Sequence, residues 1–305
     1  MTVLGFDTSN YTTSVAAFDG TNGNNISRLL DVEQGSLGLR QSDALFAHVK
    51  RLPELTDRLF SDLGKTEICA IGVSTRPRAV EGSYMPCFLA GHSQARVLAS
   101  VLGVPLFEFS HQQGHVAASL FSSNHMELMD EPHLAWHLSG GTTELLYITP
   151  EGTSVHAERI GGTTDISAGQ LIDRTGKLLG LPFPSGKHID ALSKDAIDKS
   201  VFRVKVNGTE FSLSGVQNKV EQYHKGDNAE TAAYALRCLI GAIAKATENA
   251  LKQYNCKVVF SGGVASNSML RERCKYGIFC PPQYSTDNAL GTAVLAWRAY
   301  HAAGL

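Results

Sequence analysis

Two stretches of this chain each read as three β-strands joined by turns too short to hold a helix. That pattern limits the available folds more than any other feature. In the first stretch the apolar run VLGFD ends on an acid and Ser9-Asn10-Tyr11 is turn chemistry. TTSVAAFD is a second strand, DGTNGNN a second turn, and ISRLLDV a third strand. In the second stretch HLAWHLSGG, TELLYITP and SVHAERIGG follow one another over 133–162. Each set is therefore a β-meander.

The segments behind the meanders follow a similar rhythm. Leu45, Val49, Leu52, Leu55, Leu59 and Leu63 recur at helical spacing across 39–63, interrupted at Pro53. A buried strand over 67–75, a helix over 88–102 and a strand over 105–109 complete the first block. After the second meander the pattern predicts helices at 166–180, 187–198, 215–225 and 228–253, with a polar hairpin at 202–214. A buried strand in KVVFSGG, a short helix in SNSMLRERCK and a terminal helix over 287–302 follow. No sequence repeat links the blocks, but their order of elements implies two duplicated α/β lobes around a ligand-binding cleft. The expected division is 1–109 and 110–305, with the terminal helix packing back on the N-terminal lobe.

Composition narrows the function. In 305 residues, 43% hydrophobic and 18% charged content describe a globular chain with a large core. A net charge of −2 gives no global footprint for nucleic acid, so an RNA partner would need a local basic surface or a second protein. The six cysteines show no C-x-x-C spacing and sit in apolar runs, which suits buried, reduced thiols. The chain opens directly on a strand, and no apolar stretch is long enough to span a bilayer. A cytoplasmic location without membrane contact is expected.

Three motifs could carry chemistry. His111 and His115 lie four apart in HQQGHVAASLF, a spacing that stacks both imidazoles on one helix face and suits a shared metal. Solvated or core histidines are the commoner source of such a pair. Ser110 as a helix N-cap after a buried strand favours the metal reading, as does a third candidate ligand, Asp287, in STDNA at the start of the terminal helix. Second, SGG follows a β-run twice, at 139–141 and 261–263, and Asp7-Thr8-Ser9 closes the first strand in a similar way. Glycine pairs there let the backbone approach a phosphate. Together they resemble the phosphate loops of the actin/hexokinase/Hsp70-like ATPase superfamily. Third, Asp173 lies among small residues in AGQLIDRTGKLLGL, where a carboxylate could accept from ribose hydroxyls. Spacing alone favours an exposed helix charge balanced by Arg174 and Lys177.

Taken in order, GFDTS, HQQGH, SGGTTEL, AGQLIDRTGKLLGLPFPSG, FSLSG, SGGVASNSMLR and STDNA resemble the signature blocks of the TsaD family over essentially the whole chain. That family transfers a threonylcarbamoyl group from its adenylate to N6 of adenosine 37 in tRNA. The resemblance implies a metal-dependent acyltransferase of the actin/hexokinase/Hsp70-like fold. It implies one divalent transition metal, iron or zinc, on His111, His115 and Asp287. It further implies an adenine nucleotide or threonylcarbamoyl-adenylate at His137, Leu138, Ser139, Gly140, Gly141, Asp173, Gly186 and Asn267. Asp173 becomes the ribose contact on this view. The implied partners are tRNA and companion subunits of the TsaB and TsaE kinds.

Several family positions differ here. ETSCDET reads DTSNYTT, with Asn10 for a cysteine and Thr12 for a glutamate. Thr142 stands for a histidine, Gln170 for a glutamate, and Arg76 and Arg78 fall in a turn that is glycine-rich in the family. These changes keep two other readings open: a carbamoyltransferase with another acceptor, and a non-catalytic regulatory subunit. A peptidase is discounted, because H-x-x-x-H lacks the glutamate of H-E-x-x-H. A sugar kinase would leave the metal set unexplained.

Overall fold

The computed structural model describes residues 1–9, 11–31, 39–281, 284 and 288–305. The chain forms two compact units, one of Met1–Glu131, Thr149–Ala157 and Thr286–Leu305, the other of Pro132–Ile148 and Glu158–Ser285.

In the first unit β1 (Thr2–Asp7), β2 (Thr12–Phe18) and β3 (Gly23–Leu29) form the expected antiparallel meander. β4 (Ile68–Arg76) joins β1 in parallel, and β5 (Leu106–Ser110) joins β4, giving the order β3-β2-β1-β4-β5. Every residue of β1 and β2 is buried, which requires cover on both faces of the sheet. Helix α1 (Gln41–Leu63) supplies part of it through Ala44, His48, Leu52, Leu55 and Leu59. The helix runs through Pro53 instead of breaking there, because Pro53 lies on the exposed face, where the carbonyl it leaves unbonded can meet water. α2 (Phe88–Leu102) and α3 (His111–Ser122) complete the run.

The second unit holds a seven-stranded sheet, β12-β11-β6-β7-β8-β10-β9. Its meander is β6 (His133–Leu138), β7 (Thr143–Glu151) and β8 (Ser154–Thr163), of which the hairpin end Thr149–Ala157 is counted with the first unit. The expected hairpin appears as two short strands, β9 (Val206–Asn207) and β10 (Glu210–Phe211). β11 (Val258–Ser261) runs parallel to β6 and carries β12 (Ile278–Phe279) on its other edge. Helices α4 (Ala168–Leu178), α5 (Gly186–Leu192), α6 (Ser214–Tyr223), α7 (Asn228–Tyr254) and α8 (Ser268–Arg273) accompany this sheet. Trp136, Leu134 and Phe260 belong to the same buried core as one face of α7, and the Trp136 indole N–H donates to Thr247 Oγ1 at 2.8 Å. Each such large side chain contributes about 1.5–3 kcal/mol when fully buried. The helix expected over 187–198 ends at Leu192 and tightens to a 3-10 turn at Ser193–Asp195. Beyond it the Glu230 carboxylate accepts from the N–H groups of Ile197 and Asp198, so those amides bond outside a helix.

The last helix, α9 (Leu290–Ala302), belongs to the first unit. It lies so close to its neighbours that only glycine fits between the backbones. A Cβ on Gly5 of β1 would stand 2.4 Å from Ala289 O, and one on Gly72 of β4 2.6 Å from Thr292 O. A Cβ on Gly291 would come within 1.8 Å of Gly114 O in α3. This packing keeps α3 in the first unit, so the chain divides after residue 131 and not at 109/110.

Gly291→Ala should therefore lower stability by about 1–3 kcal/mol through overpacking. Gly241→Ala, on the exposed side of α7 with no atom within 4 Å of an added Cβ, should raise it by about 0.4–1 kcal/mol. Urea denaturation of both variants checks the pair, and equal midpoints would refute the close-contact account.

Candidate functional site

The apolar strand β1 delivers an acid to its buried end. Asp7 is 1% exposed, and its carboxylate must find donors inside the protein or give up its charge. It has four. Oδ1 accepts from Ser9 N at 2.9 Å and Ser9 Oγ at 2.5 Å. Oδ2 accepts from Ser74 Oγ, on β4, at 2.6 Å and from His111 Nδ1, on α3, at 2.8 Å. Burial pushes the Asp7 carboxyl up. The His111 charge and the hydrogen bonds from His111, Ser74 and Ser9 outweigh it and hold the group below the usual carboxylate range.

Helix α3 starts where a short strand ends, and its capping box fixes the first turn. Ser110 Oγ accepts from Gln113 N at 3.2 Å, while Gln113 Oε1 accepts from Ser110 N at 2.9 Å. His111 is thus the first helical residue and His115 lies one turn on. Their rings meet edge to face with centroids 4.2 Å apart, and the two Nε2 atoms stand 2.8 Å from each other. Because the Asp7 carboxylate accepts the hydrogen bond from Nδ1–H, a neutral His111 presents a lone pair at Nε2. His115 can donate to it, or both nitrogens can turn lone pairs to a shared cation. Asp287, the third expected ligand, and Asn10 lie outside the described residues.

In the second unit the two SGG segments are neighbours. Ser261 of β11 pairs with His137 of β6 in parallel, so both loops leave the carboxyl ends of adjacent strands, a usual place for ligands in α/β sheets. Gly262, at φ 92°, passes so close to Leu138 that a Cβ would lie 2.2 Å from Leu138 O. Leu138 itself points into the core, so only its backbone reaches the loop. The N-terminus of α4 closes on the first loop: Gly169 N donates to Ser139 O at 3.2 Å, and Ser167 Oγ to Gly140 O at 2.6 Å. Gly140, Gly141 and Gly263 are exposed, and no atom lies within 4 Å of where their Cβ would be. Exposed backbone beside a helix N-terminus suits an anion.

Asp173 is not the solvated, ion-paired charge that its spacing suggested. Its Oδ1 accepts from Ser185 N at 2.8 Å, and Arg174 bonds Gln217 instead. Ser185 precedes Gly186, the exposed first residue of α5, so Asp173 and Gly186 stand at one junction. Asn267 is 8% exposed and caps α8: Oδ1 accepts from Leu270 N, and Nδ2 donates to Asp190 Oδ1 at 2.8 Å. Gln170 forms the α4 capping box with Ser167, and Thr142 N donates to Ser139 Oγ at 3.0 Å. No disulfide forms, and burial raises the thiols of Cys69, Cys238, Cys256 and Cys274. No helix among the described residues is long and apolar enough to cross a membrane.

Sequence reading named the DTS turn but missed Asp7 as the partner of His111. The available signal was an acid placed directly after four apolar or small residues of a fully buried strand. Ser74 carried no such signal.

Asp7→Asn should cost about 3 kcal/mol at pH 7, since it leaves buried donors facing an amide. A depressed folded pKa means that the carboxylate's contribution is complete above the unfolded value of 3.8 and fades as the pH falls through the folded one. The gap between wild type and variant should therefore close only as the pH falls below 3.8, through the folded value. Urea titrations from about pH 5 downwards test it, and a gap that does not narrow on acidification below 3.8 contradicts it.

Comparison with known proteins gives a consistent picture. A model of the TsaD family, described as tRNA N6-adenosine threonylcarbamoyltransferase, matches residues 34–294. The protein of that name from Carboxydothermus hydrogenoformans is 33% identical over 318 residues, covering 98% of this chain and 91% of the relative. The one from Desulfotalea psychrophila is 30% identical over 329 residues, covering 98% and 92%. Among solved structures, HypF of T. kodakarensis aligns with a TM-score of 0.56 at 14% identity, over 99% of this chain and 48% of that one. The ROK hexokinase of Thermus thermophilus aligns at 0.53 and 16% identity, over 99% and 100%. At such identities the likeness concerns fold alone, and the fold is the actin/hexokinase/Hsp70-like one.

Proposed function

The chain belongs to the TsaD family of tRNA N6-adenosine threonylcarbamoyltransferases, and from that premise we propose that it moves a threonylcarbamoyl group from its adenylate to N6 of adenosine 37 in tRNA. The metal dependence of the proposal rests on one observation above all: the 2.8 Å approach of His111 Nε2 and His115 Nε2, with His111 Nδ1 bonded to Asp7. Two imidazoles on one helix face, one of them oriented by a carboxylate, are a donor set that fits iron or zinc. His111 and His115 would hold the ion, with Asp287 as the third ligand. When bound, the metal supplies Lewis-acid polarisation of the transferred carbonyl.

The chain's own groups divide the remaining work. Gly140, Gly141 and Gly263, exposed and with open space before them, would offer backbone N–H groups to a phosphate, while Ser139 N donates to Thr142 O and holds the turn. Asp173 uses Oδ1 on Ser185 N, and its Oδ2 accepts no hydrogen bond among the described residues, which leaves it for ribose hydroxyls. Asp7 keeps the His111 ring from rotating and keeps its proton on Nδ1.

One observation favours a second reading. Thr12 is 8% exposed on β2 and brings a hydroxyl where the family pattern has a carboxylate. If that carboxylate assists the incoming amine, its loss costs on the order of 10²–10⁴ in rate. The adenylate site would then serve a different acceptor, or tRNA slowly.

The tests are separable. Purified protein should carry about one transition metal per chain, and His115→Ala should lose most of it without unfolding. Adenine nucleotides should raise Tm, and Asp173→Ala should remove that shift. With adenylate donor and companion subunits of the TsaB and TsaE kinds, transfer to tRNA should be detectable and should rise in Thr12→Glu. Metal and nucleotide binding with no transfer from either protein would reject tRNA as acceptor.

A further inference from the structure

The turn that follows β4 is set against the histidine pair from two sides. Arg76 pairs across the sheet with Ser110, the residue before His111, after a register shift that follows Ser74. Pro77 O then accepts from Gln112 N, the residue after His111, at 3.0 Å. The segment Arg76-Pro77-Arg78 is therefore fixed beside the start of α3. Its continuation folds back on itself, with Arg78 N donating to Ser83 Oγ at 3.0 Å and Ser83 N to Val80 O at 3.2 Å. That fold holds up Tyr84, 62% exposed, and Val80, 53% exposed.

Three properties of this turn need explaining together. The Arg76 guanidinium makes one hydrogen bond, to Thr75 Oγ1 at 3.3 Å, and pairs with no carboxylate among the described residues. Arg78 is exposed, and Glu81 is the single acid of the turn, so the turn is net positive in a chain of net charge −2. A large aromatic ring is presented to solvent although burying it would be favourable. Guanidinium forks suit phosphate oxygens, and an exposed ring offers a face to any unpaired base.

Resting on the function proposed above, we propose that residues 76–86 are an RNA-docking surface. Arg76 and Arg78 bind backbone phosphates, and Tyr84 stacks on an unpaired base next to the nucleotide presented to His111 and His115. Phosphate contacts of this kind set register without reading sequence. Stacking selects single-stranded loops over duplex, which matches an acceptor whose target base must leave its stack.

Fluorescence anisotropy with labelled tRNA and a blunt RNA duplex, over a salt series, tests this with the full-length chain. Arg76→Gln/Arg78→Gln should weaken tRNA binding about 10-fold or more and flatten the slope of log K against log salt by about 1–2. Tyr84→Ala should weaken tRNA binding about 10-fold, leave the salt slope unchanged, and not affect the duplex. The Tm shift with adenine nucleotides, unchanged in all variants, shows that they are folded. Variants that bind tRNA as wild type does would overturn the docking surface while leaving the transferase reading intact. A wild-type chain with no affinity for tRNA at low salt would overturn both. Equal losses on tRNA and duplex for Tyr84→Ala would overturn the stacking role. A change in oligomeric state in place of a change in RNA affinity would assign the turn to a protein contact.

Discussion

The carboxylate of Asp7, buried at the end of β1, is the interaction on which the first unit's chemistry depends. A charge at 1% exposure is tolerable only when its lone pairs are filled, and here the donors come from three places: the turn after β1, strand β4 and helix α3. The network that satisfies the charge also ties those elements to one point. Because His111 donates through Nδ1, its other nitrogen is directed at His115. The electrostatic need of one buried group thereby sets the tautomer and aim of a neighbour.

Holding α3 at that point requires more than hydrogen bonds. Helix α9 presses on β1, β4 and α3 at separations that only Gly5, Gly72 and Gly291 permit. In the second unit Gly262 meets Leu138 O, and Gly169 meets Ser139 O and Gly140 in the same manner. The glycines near both candidate sites are therefore of two kinds. Some are excluded from carrying a side chain by a neighbouring backbone. Others, such as Gly140, Gly141 and Gly263, have open space in front of them. The first kind positions the loops, and the second leaves backbone N–H groups accessible to a ligand.

Much of this could be read from the sequence, for reasons that particular residues make clear. Both meanders showed because apolar runs broken by short turns are local signals. The α3 N-terminus showed because Ser110, directly after a buried strand, is an N-cap residue type, while its capping-box partner Gln113 went unread. The helix through Pro53 was read as interrupted because the sequence does not say which face is wet. The extent of α5 was overestimated because its end depends on Glu230, distant in the chain. The division between units was placed too early because α3 is held by Gly291, which nothing near residue 110 reveals. Asp173 illustrates the same limit within the site: Arg174 and Lys177 are its neighbours in sequence, but its partner is the amide of Ser185.

The positions that depart from the family's pattern separate on the same physical grounds. Gln170 fills its capping box through Oε1, a service that glutamate and glutamine perform alike, so the α4 N-terminus keeps its geometry. Thr142 supports the SGG turn through its backbone N–H, which any residue but proline provides. Neither substitution disturbs how its loop is built. Thr12 and the Arg76–Arg78 turn are different, because there the side chain itself changes charge: one position loses a negative group, and the other gains two positive ones. Thr12 lies on the fully buried β2, so a carboxylate in its place would need donors inside the protein, as Asp7 does. Arg76 and Arg78 stand in the turn that the bond from Gln112 N to Pro77 O holds beside the start of α3, so their charge acts on the local potential without any such demand on the core.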